Sequence, residues 1–144
     1  MVSTAQLVLA LGGKAIFKER AATYDVVVSR VRAGLPYAVL ESLANRFDIS
    51  QERLIRVLHI PPRTLARRKK ERRLQPTESD RLLRVARIAA AAEDVLGEAG
   101  KAGRWLQKPN RALGGVVPLD QLDTDIGAEH VSQVLGRIAH GVYS

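Results

Sequence analysis

Cysteine is absent from this 144-residue chain, which excludes a disulfide framework and any thiolate metal site. Aromatic residues are scarce, with two Phe, three Tyr and one Trp. Alanine, leucine and valine must therefore supply most of the apolar surface, which favours closely packed helices over a β-sandwich. No apolar run approaches the roughly 20 residues needed to span a bilayer. The short apolar stretch VSTAQLVLALGG has no basic segment before it and does not read as a signal peptide. A soluble cytoplasmic protein with no membrane partner is the expectation.

The spacings that carry catalysis are also missing. Gly12-Gly13-Lys14 and Gly100-Lys101 lack the first glycine of a P-loop, and alanine follows each lysine where Ser or Thr must hold magnesium. Asp120, Asp123, Asp125 and Glu129 cluster in sequence, but Ala128 stands where a calcium loop requires glycine; capping and turn roles suit them better. His59, His130 and His140 are scattered, and no nucleophile–base pair is spaced for catalysis. The expectation is a protein without enzymatic activity, cofactor or metal.

Charge of one sign is in excess, and it is focused. Residues 1–60 carry 8 Lys+Arg and 5 Asp+Glu, residues 61–87 carry 10 and 3, and residues 88–144 carry 5 and 7. A basic run is most often a solvated helix face, but confinement of the positive field to one segment is the footprint expected for phosphate. That segment, SQERLIRVLHIPPRTLARRKKERR at 50–73, reads as helix, turn and helix. Ser50 can cap the first helix, and Leu54, Val57 and Leu58 make its apolar stripe, widened by Ile55. His59-Ile60 is the turn, and Pro62 suits the first position of the second helix, which runs to about Arg73. Arg63, Arg67 and Lys70 share one face, with Leu65 as the apolar anchor on the other. DNA is the partner this arrangement proposes.

Elsewhere the periodicity predicts helices over 22–33 and 36–47, the latter with Leu40, Leu43, Ala44 and Phe47 on its apolar face. Residues 1–20 are ambiguous between a short helix and an arm broken at Gly12-Gly13. After Gln75-Pro76, Thr77 is expected to cap a long helix ended by Gly97, with Asp80 reaching back. Its AAAA centre allows close approach of a second helix, within the domain or from another subunit. A helix over about 99–107, with Trp105-Leu106 as core anchor, precedes a Pro/Gly-containing connection at 108–123. Thr124 should cap the last helix, where Val131, Val134, Leu135 and Ile138 form a stripe and Gly141 ends it. The fold class is all-α, with an N-terminal helix-turn-helix domain at 1–76 and a helical C-terminal domain at 77–144.

Two constellations go further. Ser50, Gln51, Glu52 and Leu54, followed by Arg63, Thr64, Leu65 and Arg67, resemble the helix-turn-helix of the Xre/Cro repressor class. Two positions depart from it: Ile55 replaces the usual small residue, and His59 the turn glycine. The spacing W-L-x-x-P-N-x-A-L-G-G-x-x-P-L-D-x-L-D-T-x-x-G, starting at Trp105 and followed by a terminal helix and G-x-Y-S, is similar to the C-terminal domain of Xre/MbcA/ParS antitoxins. The resemblance implies an antitoxin that binds and neutralises a RES-domain toxin that degrades NAD⁺, with Tyr143 and Ser144 blocking the toxin's active site. It also implies a homodimer that represses its own operon, with Arg63, Thr64, Arg67, Arg68 and Lys70 on operator DNA. The residues alone leave a plain transcription repressor, without a toxin partner, as the alternative. A terminus that merely frays is the usual fate of last residues.

Overall fold

The computed structural model describes residues 2–13, 16–17 and 23–141. They form eight α-helices and two 3₁₀ segments, with no strand among them. The all-α expectation therefore holds. Ser3 opens α1 (Thr4–Ala10) with a reciprocal cap: its Oγ accepts from the Gln6 N–H at 3.1 Å, and Gln6 Oε1 accepts from the Ser3 N–H at 2.8 Å. This resolves the ambiguous N-terminus as a helix followed by Gly12 and Gly13, both at positive φ. Thr23 caps α2 (Tyr24–Ala33), and α3 (Tyr37–Phe47) follows, with Leu40, Leu43 and Phe47 fully buried.

The helix-turn-helix forms as its residues dictate. Ser50 Oγ accepts from the Arg53 N–H at 3.2 Å and opens α4 (Gln51–Val57). His59 then takes φ +55, the left-handed value that a turn glycine would otherwise adopt. Pro62 begins α5 (Pro62–Glu71), where its missing N–H costs nothing. The helix stops two residues before the expected Arg73. Arg72 turns left-handed, and Arg73 and Leu74 pair back onto the α2–α3 junction instead. Tyr37 N–H donates to Arg72 O at 3.1 Å and Leu74 N–H to Leu35 O at 2.9 Å.

The long helix α6 (Pro76–Leu96) starts differently from the sequence expectation. Gln75, not Thr77, is its N-cap, and Glu78 rather than Asp80 reaches back, accepting from the Gln75 N–H at 2.8 Å. The physical reason is Pro76, which suits the first helical position and leaves Glu78 at the third, the capping-box place. Ser79 is then fully buried, its Oγ accepting from the Leu35 N–H at 2.8 Å and donating to Gln75 O at 2.9 Å. The alanine run faces inward, with Ala89, Ala90 and Ala92 buried. α6 packs against α1, α2 and α3 and also against α7 (Ala99–Leu106) and α8 (Asp125–Ala139).

The connection between α7 and α8 contains 3₁₀ segments at Arg111–Leu113 and Pro118–Asp123. Of the expected Trp105-Leu106 anchor, Leu106 is fully buried while Trp105 packs half-buried against the core. A single connected cluster of buried side chains runs from Leu7 to Leu135. Among the described residues, no helix is long and apolar enough to cross a membrane.

Candidate functional site

The second helix of the helix-turn-helix is held by little apolar burial. Leu65 packs partly against the core and none of the α5 residues is buried. What holds it instead is Arg68. Its Nε donates to Glu78 Oε1 at 2.8 Å and its NH1 to Glu71 Oε1 at 3.1 Å, with the Arg68 side chain only 11% exposed. The hydrogen bond that Arg68 donates to Glu78 is the main reason the guanidinium pKa is raised above its ordinary value. Glu78 thus accepts from both Arg68 and its own helix N-cap, riveting α5 to α6.

Arg68, one of the five residues expected on DNA, is thus ion-paired with two carboxylates inside the α5–α6 junction. Arg63, Arg67 and Lys70 are exposed, and Thr64 is half-buried beside them. No ion pair among the described residues involves Arg63, Arg67 or Lys70. They recur at i, i+4 and i+7, so they line one face of α5. Lys69 and Arg72 extend the exposed charge at its C-terminal end; they lie in the same basic run and could have been found from it.

The C-terminal half is built from its turn chemistry. Asn110 Oδ1 accepts from the Ala112 N–H at 2.9 Å, and the Asn110 carbonyl accepts from the Gly115 N–H at 2.8 Å. Gly114 and Gly115 both take positive φ, +69 and +87, which two consecutive residues with side chains would adopt only under strain. The chain so reversed lays Leu119 and Leu122 into the core. Thr124 Oγ1 accepts from the Gly127 N–H at 3.0 Å and opens α8. Val131, Val134 and Leu135 are buried as the stripe predicts, and Ile138 packs partly against them. Tyr143 and Ser144 lie outside the described residues.

Polar ties join α6 and the segment leading into α8 to the helix-turn-helix and to each other. Arg81 NH1 donates to Leu58 O at 3.2 Å, at the C-terminal end of α4. Arg84 NH1 donates to Leu122 O at 3.4 Å, and its Nε lies 3.3 Å from Asp125. His59, in the helix-turn-helix turn, stands 3.8 Å from Asp123. These pairings occupy two of the four clustered carboxylates with structural roles. Among the described residues, no group of three or more His, Asp or Glu could hold a metal ion.

Comparison with known proteins bears on both halves. Residues 26–87 match the family model described as an antitoxin Xre-like helix-turn-helix domain. Residues 91–141 match that of the antitoxin Xre/MbcA/ParS C-terminal toxin-binding domain. An Antitoxin Xre of Yersinia enterocolitica is 36% identical over 121 residues, covering 83% of this chain and 82% of the relative. An Antitoxin Xre of Pseudomonas putida is 48% identical over 83 residues, covering 57% and 52% respectively. A Prs ADP-ribosylating antitoxin of Sphingobium is 27% identical over 124 residues, covering 79% and 78%.

Proposed function

The chain belongs to the Xre antitoxin family of type II toxin–antitoxin regulators, which are not enzymes, and from that premise we propose what it does with each half. The C-terminal half binds and neutralises a RES-domain toxin that degrades NAD⁺. The tail that follows α8, ending in Tyr143 and Ser144, blocks the toxin's active site. The helix-turn-helix binds operator DNA and represses the operon, with the protein acting as a cytoplasmic homodimer. Residues 1–76 serve the DNA function and residues 77–144 dimerisation and toxin binding.

One observation carries this reading above the others: a toxin-binding match and a helix-turn-helix match lie end to end in one chain. Chemistry supports the details. A tyrosine ring with a polar tip and a terminal carboxylate suit a cleft built for an anionic nucleotide. The exposed row Arg63, Arg67 and Lys70 suits DNA phosphates, as does the position of α5 as the second helix of the motif.

The test is co-expression of the chain, intact or lacking Val142–Ser144, with a RES-domain toxin while growth and cellular NAD⁺ are followed. The intact chain should restore both and the truncated chain neither. Equal rescue would move inhibition from the tail into the folded half. Failure of both would leave a DNA-binding repressor without this toxin partner.

A further inference from the structure

The solvent face of α8 carries one large apolar side chain out of place. Ile126 is 79% exposed, the most exposed of the large hydrophobic residues described. Its neighbours Gly127 and Ala128 are buried, so the helix is seated with Ile126 turned to solvent. A shallow depression beside it is lined by Gln121, Thr124, Glu129, His130 and Gln133. Ile126, Glu129, His130 and Gln133 fall at i, i+3, i+4 and i+7, and so form one stripe. Of the acidic residues nearby in sequence, Asp120 and Glu129 are exposed while Asp125 pairs with Arg84, and no Lys or Arg occurs between Arg111 and Arg137.

An isolated exposed isoleucine needs no explanation by itself. Three observations give this one an occupant. It lies within residues 91–141, the stretch matching a toxin-binding domain. Its lining holds one carboxylate, Glu129, and no Lys or Arg, in a protein with a formal net charge of +8. It also sits at the opposite end of α8 from Gly141, where the tail begins. At 1.5 Å per residue, the two ends are about 22 Å apart, a span that one standard protein interface covers.

We propose that Ile126 is the anchor of the toxin interface, inserted into an apolar pocket on the toxin that places a cation against Glu129, and separate from the tail that blocks the active site. The inference rests on the toxin-binding reading above and deepens it. Affinity resides at the start of α8 and inhibition at its end. Glu129 beside the anchor pairs with that cation and adds a salt-dependent part to association. The two contacts fail in different ways: loss of the anchor weakens binding and leaves full inhibition at saturating antitoxin, whereas loss of the tail leaves binding and removes inhibition.

The experiment is calorimetric titration of the full chain into a RES-domain toxin carrying an inactivating substitution, together with inhibition assays on the active toxin. Ile126→Asp should raise Kd by about 30-fold or more, the size of an interface hot spot, with helix content and melting temperature unchanged. Val116→Asp, at the other exposed large apolar residue among the described residues of this half (39% exposed), should stay within about threefold. The chain lacking Val142–Ser144 should bind within a few-fold of wild type. Wild-type binding with no effect of Ile126→Asp would overturn the anchor while leaving the toxin reading intact. Absence of wild-type binding would overturn both, and Ile126→Ala reports on the anchor should the charged variant fold poorly.

Discussion

Arg68 and Arg67 are adjacent in a basic run, yet the structure gives them different work. Arg68 is drawn into the α5–α6 junction by Glu71 and Glu78, while Arg67 stays exposed beside Arg63 and Lys70. Removing one partner of a buried ion pair leaves an uncompensated charge, at a cost of about 3 kcal/mol or more. Glu78→Ala should therefore destabilise the fold by about that amount, read in urea unfolding, because it also strips the Gln75 N–H of its acceptor. Arg67→Ala and Lys70→Ala should instead leave stability within about 0.5 kcal/mol and weaken operator binding. Fluorescence anisotropy against salt separates the two ways they could act. Loss of a phosphate contact lowers affinity on all sequences and reduces the salt slope by about one. Loss of a base contact narrows discrimination by about 1–3 kcal/mol. Unchanged affinity at moderate salt for both variants would remove this face of α5 from the DNA interface.

At the scale of elements, α7 comes close to the end of α3 at Gly103. A methyl group added at Gly103 would run into the backbone carbonyl of Phe47, which cannot move without disturbing the α3 C-terminus. Gln107, one turn on, donates its amide to Asp48 O at 3.1 Å and to Gly103 O at 2.9 Å, holding the same crossing. Gly103→Ala should cost roughly 1–3 kcal/mol, the usual penalty of overpacking. That is opposite in sign to the gain of about 1 kcal/mol expected for the same change in an open helix. Chemical denaturation of the two proteins side by side gives the sign directly. The helix ends themselves were legible beforehand. Ser50, Thr124, Pro62 and Gly97 each act at the end where their chemistry placed them. The start of α6 was not, because Thr77 and Gln75 compete for the cap and the choice falls to Pro76 and Glu78 together.

The whole molecule is organised by α6, which contacts both the helix-turn-helix side and the C-terminal helices. Arg46 and Glu93 add a two-pronged tie at 2.7 and 3.1 Å between α3 and the last turns of α6, and Gln6 reaches Asp94 at 2.9 Å. Because one buried cluster runs through both halves, unfolding should be a single cooperative transition. Trp105 fluorescence, which reports α7, and far-ultraviolet circular dichroism, which reports all helices, should give coincident midpoints in urea. Separated midpoints would show that the halves unfold independently. The same ties put the helix-turn-helix turn against the 3₁₀ segment that precedes α8 through His59 and Asp123.

Periodicity, caps and turn residues act over a few positions, so the sequence by itself determined the all-α class, the helix-turn-helix with its left-handed His59, the terminal stripe of α8 and the family. Turn chemistry also marked the Asn110–Gly115 reversal, since two adjacent glycines admit a backbone that other residues resist. Only the tertiary structure decided which cations remain exposed, that Leu106 rather than Trp105 is the deep anchor, that the alanines of α6 pack within the chain, and that Ile126 faces solvent. The physical reason is the same in each case. Burial and ion pairing depend on groups brought together from distant elements, as Arg68 and Glu78 are across the α5–α6 turn, and no local propensity encodes which of several similar side chains will meet a partner there.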